Sequence, residues 1–311
     1  MPRQRRETQG APRTEDGAGL RVTNTVLYSQ ALGNTQKALS EIERYQRIIS
    51  SGLRVEKPSD DPTALTEIMR SSSGLRALEQ YKDNLSSASA RLDLEDGVLD
   101  QLSNALIRAK ELAISQAGDT TSADSRSVVQ AEIDGIRDFV IELGNTQFSG
   151  SFVFGGYYAD SRPFTAAGPD PARPPAGTHQ VEGGAGAFYA VNHSGQEIFV
   201  DSGILDALEQ LSTALGADSG TDIQAAITEV DNAFDEVQEL VGELGARMNQ
   251  IETAQSNIEA LDVNLQTFRS ELQEADLEEA ISKLVARQVS YEAAMMTNAR
   301  ILQTTLTDYL R

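Results

Sequence analysis

From Ile227 to Leu265 the chain alternates steps of three and four between seam positions. These are Ile227, Val230, Phe234, Val237, Val241, Leu244, Met248, Ile251, Gln255, Ile258, Asp262 and Leu265, and only Gln255 and Asp262 are polar. That spacing keeps one face of a helix turned toward a partner helix, as in a coiled coil. A helix from Asp222 to Gln273 would be on the order of 75–80 Å long at about 1.5 Å per residue. No compact core needs such a helix, so a second long helix must lie beside it. Residues 62–116 supply one of matching length, with a stripe of Leu85, Ala88, Leu92, Leu99, Leu102, Leu106, Ala109 and Ala113. Glu95 is the one charged member of that stripe. The predicted shaft seam is therefore Leu92, Leu99, Leu102 and Leu106 against Phe234, Val237, Val241, Leu244 and Met248. Glu229, Glu236, Glu239 and Glu243 fall off the seam and are expected to face solvent.

The remaining segments are shorter. Asp61 reads as a helix N-cap and Pro62 as the first helical residue, because proline lacks the N–H that a first turn cannot use. A helix carrying Val129, Ile133, Ile136, Val140 and Leu143 should stop at Gly144-Asn145. An N-terminal arm presents Leu32, Leu39, Ile42 and Ile49 at helical spacing, and Ser51-Gly52 breaks it. A final helix from Leu277 to Arg311 presents Ile281, Leu284, Tyr291, Met295, Leu302 and Tyr309. The centre differs in kind. Ser151–Phe154, Phe188–Val191 and Ile198–Val200 read as strands, Asn192–Gly195 as a hairpin turn, and 163–186 as a Pro- and Gly-rich loop. The expected fold class is mainly α. It is an elongated antiparallel helical hairpin rod of long, coiled-coil-like helices, with a small β-rich module inserted at the turn. The expected segments are an extension without regular structure (1–20), an arm helix (21–57), the first part of the shaft (58–147), the β-rich module (148–205), the second part of the shaft (206–274) and a second arm helix (275–311).

Composition narrows the function classes. A formal net charge of -21 argues against nucleic acid and anionic membrane surfaces, which need clustered Lys and Arg. The absence of cysteine removes disulfides, thiolate nucleophiles and Cys-ligated metals. No HExxH, GxSxG, P-loop or EF-hand pattern occurs. The two histidines, His179 and His193, lie in the loop-rich centre, and His193 reads as an exposed turn residue. Gly183–Gly186 reads as loop, Asp218–Asp222 as a loop ending in a helix cap, and Asp60-Asp61 as a cap rather than a catalytic pair. No catalytic residue, cofactor or metal is expected. No Sec signal peptide and no stretch of about 18 apolar residues is present. A chain with seams and no site is built for contact surfaces.

Several motifs stand out: Ser51-Gly52-Leu53-Arg54 followed by Pro58-Ser59-Asp60-Asp61-Pro62, Arg108–Ala113, Phe152–Gly156 followed by Arg162-Pro163-Phe164, Ala275-Asp276-Leu277, Tyr291-Glu292-Ala293 and the terminal Tyr309-Leu310-Arg311. Together they resemble the flagellin superfamily. Within that superfamily the PSDDP and FGG…PF elements are similar to the hook-associated protein 3 family. The resemblance covers roughly 21–160 and 225–311. It implies a structural adaptor that joins a hook-associated protein 1-type junction protein to the flagellin filament and packs with itself in a ring. It also implies passage through the flagellar export apparatus with a dedicated export chaperone, and an extracellular location on the flagellum. The implied assembly interface is Leu32, Leu39, Ile42, Ile49, Ile281, Leu284, Tyr291, Leu302 and Tyr309. Flagellin itself is the alternative, and a secreted enzyme on the same scaffold would need the missing HExxH. Residues 1–20 have no family counterpart. Leu20 stands where family members begin with Met, so the expectation is a start at position 20, with an export extension as the alternative.

Overall fold

The computed structural model describes residues 17–118 and 122–309. Six α-helices dominate: α1 (Gly17–Ser51), α2 (Pro62–Gln116), α3 (Ala123–Gly144), α4 (Ile204–Gly216), α5 (Gly220–Gln273) and α6 (Leu277–Tyr309). Three small antiparallel strand pairs lie between α3 and α4: β1 (Gln147–Phe148) with β2 (Ser151–Phe152), β3 (Phe164–Thr165) with β4 (Gly168–Pro169), and β5 (Gln180–Gly184) with β6 (Ala187–Ala190). The fold class expected from the sequence is the one found, mainly α with long helices and a few small strand pairs. Contacts divide the chain into two compact units, Met1–Ser72 with Thr267–Arg311 and Ser73–Gln266.

In the first unit α1 packs along α6 in antiparallel fashion. Arg287 Nε reaches Glu41 at 2.6 Å, and Asn298 Nδ2 donates to Thr35 Oγ1 at 2.9 Å. Both helices end at a shared break. Leu53 and Glu274 form an antiparallel bridge, Arg54 N donates to Gln273 O at 2.7 Å, and Ala275 N donates to Gly52 O at 2.9 Å. Gly52 takes φ +72, a left-handed conformation that suits glycine at a helix C-terminus. Val55, Ala64 and Ile68 bury together beside it, with Leu65 and Leu272 packed against them. Helix α1 starts at Gly17, inside the segment expected to lack regular structure. Ala18 and Leu20 favour helix, and no proline separates them from the apolar stripe. The rest of the N-terminal extension lies outside the described residues.

In the second unit α2 and α5 run antiparallel, since paired positions climb on one as they fall on the other. A Cβ on Gly74 would stand 3.1 Å from Leu265, Gln238 donates to Ser103 at 3.1 Å, and Lys110 pairs with Asp231. Leu85, Leu92, Leu99 and Leu106 face a row of Val230, Val237, Leu244, Ile251 and Ile258 in one continuous core. Helix α3 is capped by Ser122, whose side chain accepts from Ser125 N. Arg126, buried, donates to the carbonyls of Gln116 and Gly118 at 3.2 and 3.0 Å and pairs with Asp218. Gln116 is the last residue of α2, so the guanidinium binds the carbonyl end of that helix. Helix α4, which the sequence reading did not separate from the shaft, lays an apolar face on α3.

The centre departs from expectation in several places. The strand read over Ser151–Phe154 is only Ser151–Phe152. Residues 163–186, read as loop, hold β3, β4 and β5, with Gly183 and Gly184 inside β5. Pairing across the chain, rather than local composition, makes these strands. Ile198-Phe199-Val200 is not a strand but part of a single π-helical segment, Gln196–Asp201. A short buried apolar run reads alike as strand or helix, because periodicity cannot be seen in three residues. Asn192–Gly195 is not a hairpin turn, since β5 and β6 are joined through Ala185-Gly186 instead. Phe199 stacks edge-on with Phe154 at 5.4 Å and tilted with Phe164 at 5.0 Å, making the aromatic centre of this module. Asn145, at the end of α3, holds Phe164 by two bonds: it accepts from Phe164 N and donates to Phe164 O, both at 3.1 Å.

Candidate assembly interface and a buried polar node

The arm residues proposed as an interface fall into groups. Leu32, Leu39 and Ile281 are exposed, and Ile49, Leu284 and Tyr291 are half-buried. Ile42 is buried inside the first unit and presents nothing to a partner. The side chains of Leu302 and Tyr309 lie outside the described residues. On α6 the exposed apolar side chains Leu277, Ile281, Val285, Val289 and Met296 recur at spacings of four and seven. That spacing places them as one apolar face of the helix. The seam residues Leu92, Leu99, Leu102, Leu106, Val237 and Leu244 are buried, while Phe234, Val241 and Met248 are half-buried along the edge of the core.

At the break between arm and shaft helices, aspartates organise both restarts. Asp61 Oδ1 accepts from Thr63 N and Ala64 N at 3.1 and 2.9 Å, the bonding of an N-cap, with Pro62 following as first helical residue. Asp276 does the same for Glu278 and Glu279, both at 3.0 Å. Asp60 Oδ2 accepts from Lys57 N at 3.0 Å and Glu56 N at 3.3 Å. The Lys57 N–H bond in particular holds the Asp60 carboxyl below its ordinary value, against a smaller opposing effect of burial. Arg54 donates to Leu272 O at 2.7 Å, at the carbonyl end of α5.

In the second unit a polar node sits inside the core. Sequence reasoning placed His193 in an exposed turn, but it is buried. Its Nδ1 lies 2.5 Å from Glu95 Oε1, its backbone N–H donates to the same carboxylate at 3.2 and 3.3 Å, and its Nε2 lies 3.3 Å from Glu243 Oε2. Glu243, expected to look only into solvent, turns its carboxylate to this ring and to Arg247. Arg247 donates to Asn192 O at 2.8 Å, and Asn192 Oδ1 accepts from His179 N at 2.7 Å. Arg91, one turn before Glu95, donates to Val153 O at 2.6 Å. Burial pushes its guanidinium below the ordinary value, and the Glu95 charge pulls the other way. The one signal in the sequence was Glu95, a lone charge in an apolar stripe. Such a residue requires a buried partner.

Long paired helices, two aspartate-capped restarts and small strand pairs define a flagellin-type helical protein. Comparison with known families agrees: residues 22–159 match the bacterial flagellin N-terminal helical region, and 227–310 match the bacterial flagellin C-terminal helical region. The chain belongs to the flagellin superfamily, and within it its similarity is to flagellar hook-associated protein 3. It is 29% identical over 182 residues to that protein of Salmonella typhimurium, covering 58% of this chain and 57% of the relative. With the Escherichia coli protein it shares 30% over 147 residues, 47% of this chain and 46% of the relative. The chain thus spans about half the length of the curated relatives it matches. The solved flagellar hook-associated protein 3 from Legionella pneumophila shares the fold, with a TM-score of 0.58 at 16% identity, covering 65% of this chain and 98% of that one.

Proposed function

We propose that this chain is a structural adaptor of the bacterial flagellum that joins a hook-side junction protein to the flagellin filament. The reading rests on one observation above the others, the exposed apolar face of α6 at Leu277, Ile281, Val285 and Val289. Such a face lowers its free energy by packing against another surface. Self-packing in a ring, a hook-associated protein 1-type partner on one side and flagellin on the other would cover it. Export proceeds through the flagellar apparatus, with a dedicated chaperone, to an extracellular location. The role is contact rather than catalysis, so the chain is proposed not to be an enzyme.

A clean deletion tests this. The expected phenotype is intact hooks, no filaments and flagellin released into the medium. Complementation with Ile281→Asp should fail although the purified variant melts like the parent. Filaments in the deletion strain would exclude the adaptor role. Abundance of the chain comparable to the filament subunit would point to flagellin instead.

A further inference from the structure

The apolar rows that join α2 to α5 repeat every seven residues. Leu85, Leu92, Leu99 and Leu106 form one row, and Val230, Val237, Leu244 and Ile251 form the other. Rows with that period pack equally well after one helix slides by seven residues, about 10 Å at 1.5 Å per residue. Beside each row runs a second, also spaced by seven. On α2 it reads Ala88, Glu95, Leu102, Ala109, and on α5 it reads Ala233, Leu240, Arg247, Ala254. Each of these second rows holds a single charged residue, and the two charges meet the same segment of chain. Glu95 takes the backbone N–H and ring of His193, and Arg247 takes the carbonyl of Asn192.

We infer that Asn192-His193 is a register pin, a polar splint that selects one axial alignment of α2 against α5. Sliding α2 by seven would put Ala88 or Leu102 at the His193 ring and leave Glu95 facing apolar groups. Sliding α5 by seven would put Leu240 or Ala254 at the Asn192 carbonyl. Glu236 could then replace Glu243 at the ring, so Glu243 alone does not set the register, whereas Arg247 has no counterpart. The buried Arg126 of α3 ties the ends of the two helices, bonding the Gln116 and Gly118 carbonyls and pairing with Asp218, and acts beside the pin. The polar contacts made directly between α2 and α5 select weakly. Lys110 and Asp231 are each 41% exposed, and Ser103 with Gln238 is one neutral bond. Buried polar groups in an otherwise apolar helix interface have this specifying role where a single polar position fixes coiled-coil alignment.

The chain has no cysteine, so two introduced cysteines can carry spin labels without background. Labels on Asp100→Cys and Glu259→Cys, measured by double electron–electron resonance after refolding from urea, report the alignment. The two sites are offset along the axis by about 27 Å at 1.5 Å per residue, so a slide changes their separation directly. The parent should give one narrow distance. A triple variant, Glu95→Leu with His193→Leu and Arg247→Leu, should refold cooperatively and show a second population displaced along the helix axis by about 10 Å. Arg247→Met alone, which leaves Glu95 with its histidine, should show the same second distance at lower occupancy. A single narrow distance in the triple variant would overturn the proposal. So would loss of its cooperative transition, since the node would then hold the fold up rather than choose its alignment.

Discussion

Glu95 Oε1 lies 2.5 Å from His193 Nδ1, and the two side chains are 0% and 1% exposed. They stand 98 residues apart in the chain, one in a long helix and one in an irregular segment. Removing the ring leaves the buried Glu95 carboxylate with only the backbone N–H of residue 193, a loss of about 1–3 kcal/mol. His193→Leu should therefore lower the urea midpoint sharply. Glu243→Gln should move it little, because Glu243 is 54% exposed and solvent screens its charge. Equal midpoints for His193→Leu and the parent would mean that Glu95 finds another partner.

The glycines of the central module and the shaft should respond in opposite directions. Gly156 takes φ +57, and a Cβ there would stand 2.1 Å from the Ala176 carbonyl oxygen, a backbone atom that cannot swing aside. Gly156→Ala is expected to destabilise the module strongly. Gly97 lies within α2 with nothing within 4 Å of an added Cβ. Gly97→Ala should raise stability by about 0.5–1 kcal/mol through helix propensity and a less flexible unfolded chain. Thermal melts of the two variants check both signs.

The link before α2 should loosen in acid. The Asp60 carboxyl is held below its ordinary value of 3.8, first by the Lys57 N–H, then by the Glu56 N–H and by the charges of Arg44 and Lys57. A group whose folded value is depressed contributes stability that is fully present above its unfolded value and is lost as pH falls through the folded one. The contribution therefore disappears below 3.8, not at neutral pH. A carbon-13 titration of the Asp60 carboxyl should give a midpoint under 3.8, and Asp60→Asn should remove the acid loosening of residues 56–60. A midpoint at or above that value would contradict the geometry.

Much of the helical frame was legible because it repeats. A period of seven over forty residues leaves few alternatives, and Asp61-Pro62 marks a helix start by chemistry that is local to the chain. The node was not legible, since nothing near His193 in sequence reveals that Glu95 and Glu243 converge on it. The strand pairs β1–β2 and β3–β4 are only two residues long on each side, too short for alternation to show. The arm face was readable as a stripe, yet the stripe does not tell Ile42, buried in the fold, from Leu39, which stays exposed. The shaft seam was placed slightly off its true centre. Counting large residues favoured Ile227, Phe234 and Val241, whereas the innermost positions beside Val230 and Val237 are the small Ala226 and Ala233.

That offset sets the ranking of the shaft variants. Leu244 is fully buried in the row that faces α2, so Leu244→Ala removes a side chain from the centre of the core, a loss of about 2–5 kcal/mol. Phe234 is larger but half-buried at the core edge, where water already reaches part of the ring. Phe234→Ala should therefore cost less than the roughly 3–5 kcal/mol of a fully buried phenylalanine. Glu239 is exposed on the opposite side of α5, and Glu239→Ala should change stability by no more than about 0.5 kcal/mol. Urea denaturation of the three single variants gives the order Leu244, Phe234, Glu239. If Phe234→Ala proves the most damaging, the helix is turned so that the large residues, not the alanines, face α2.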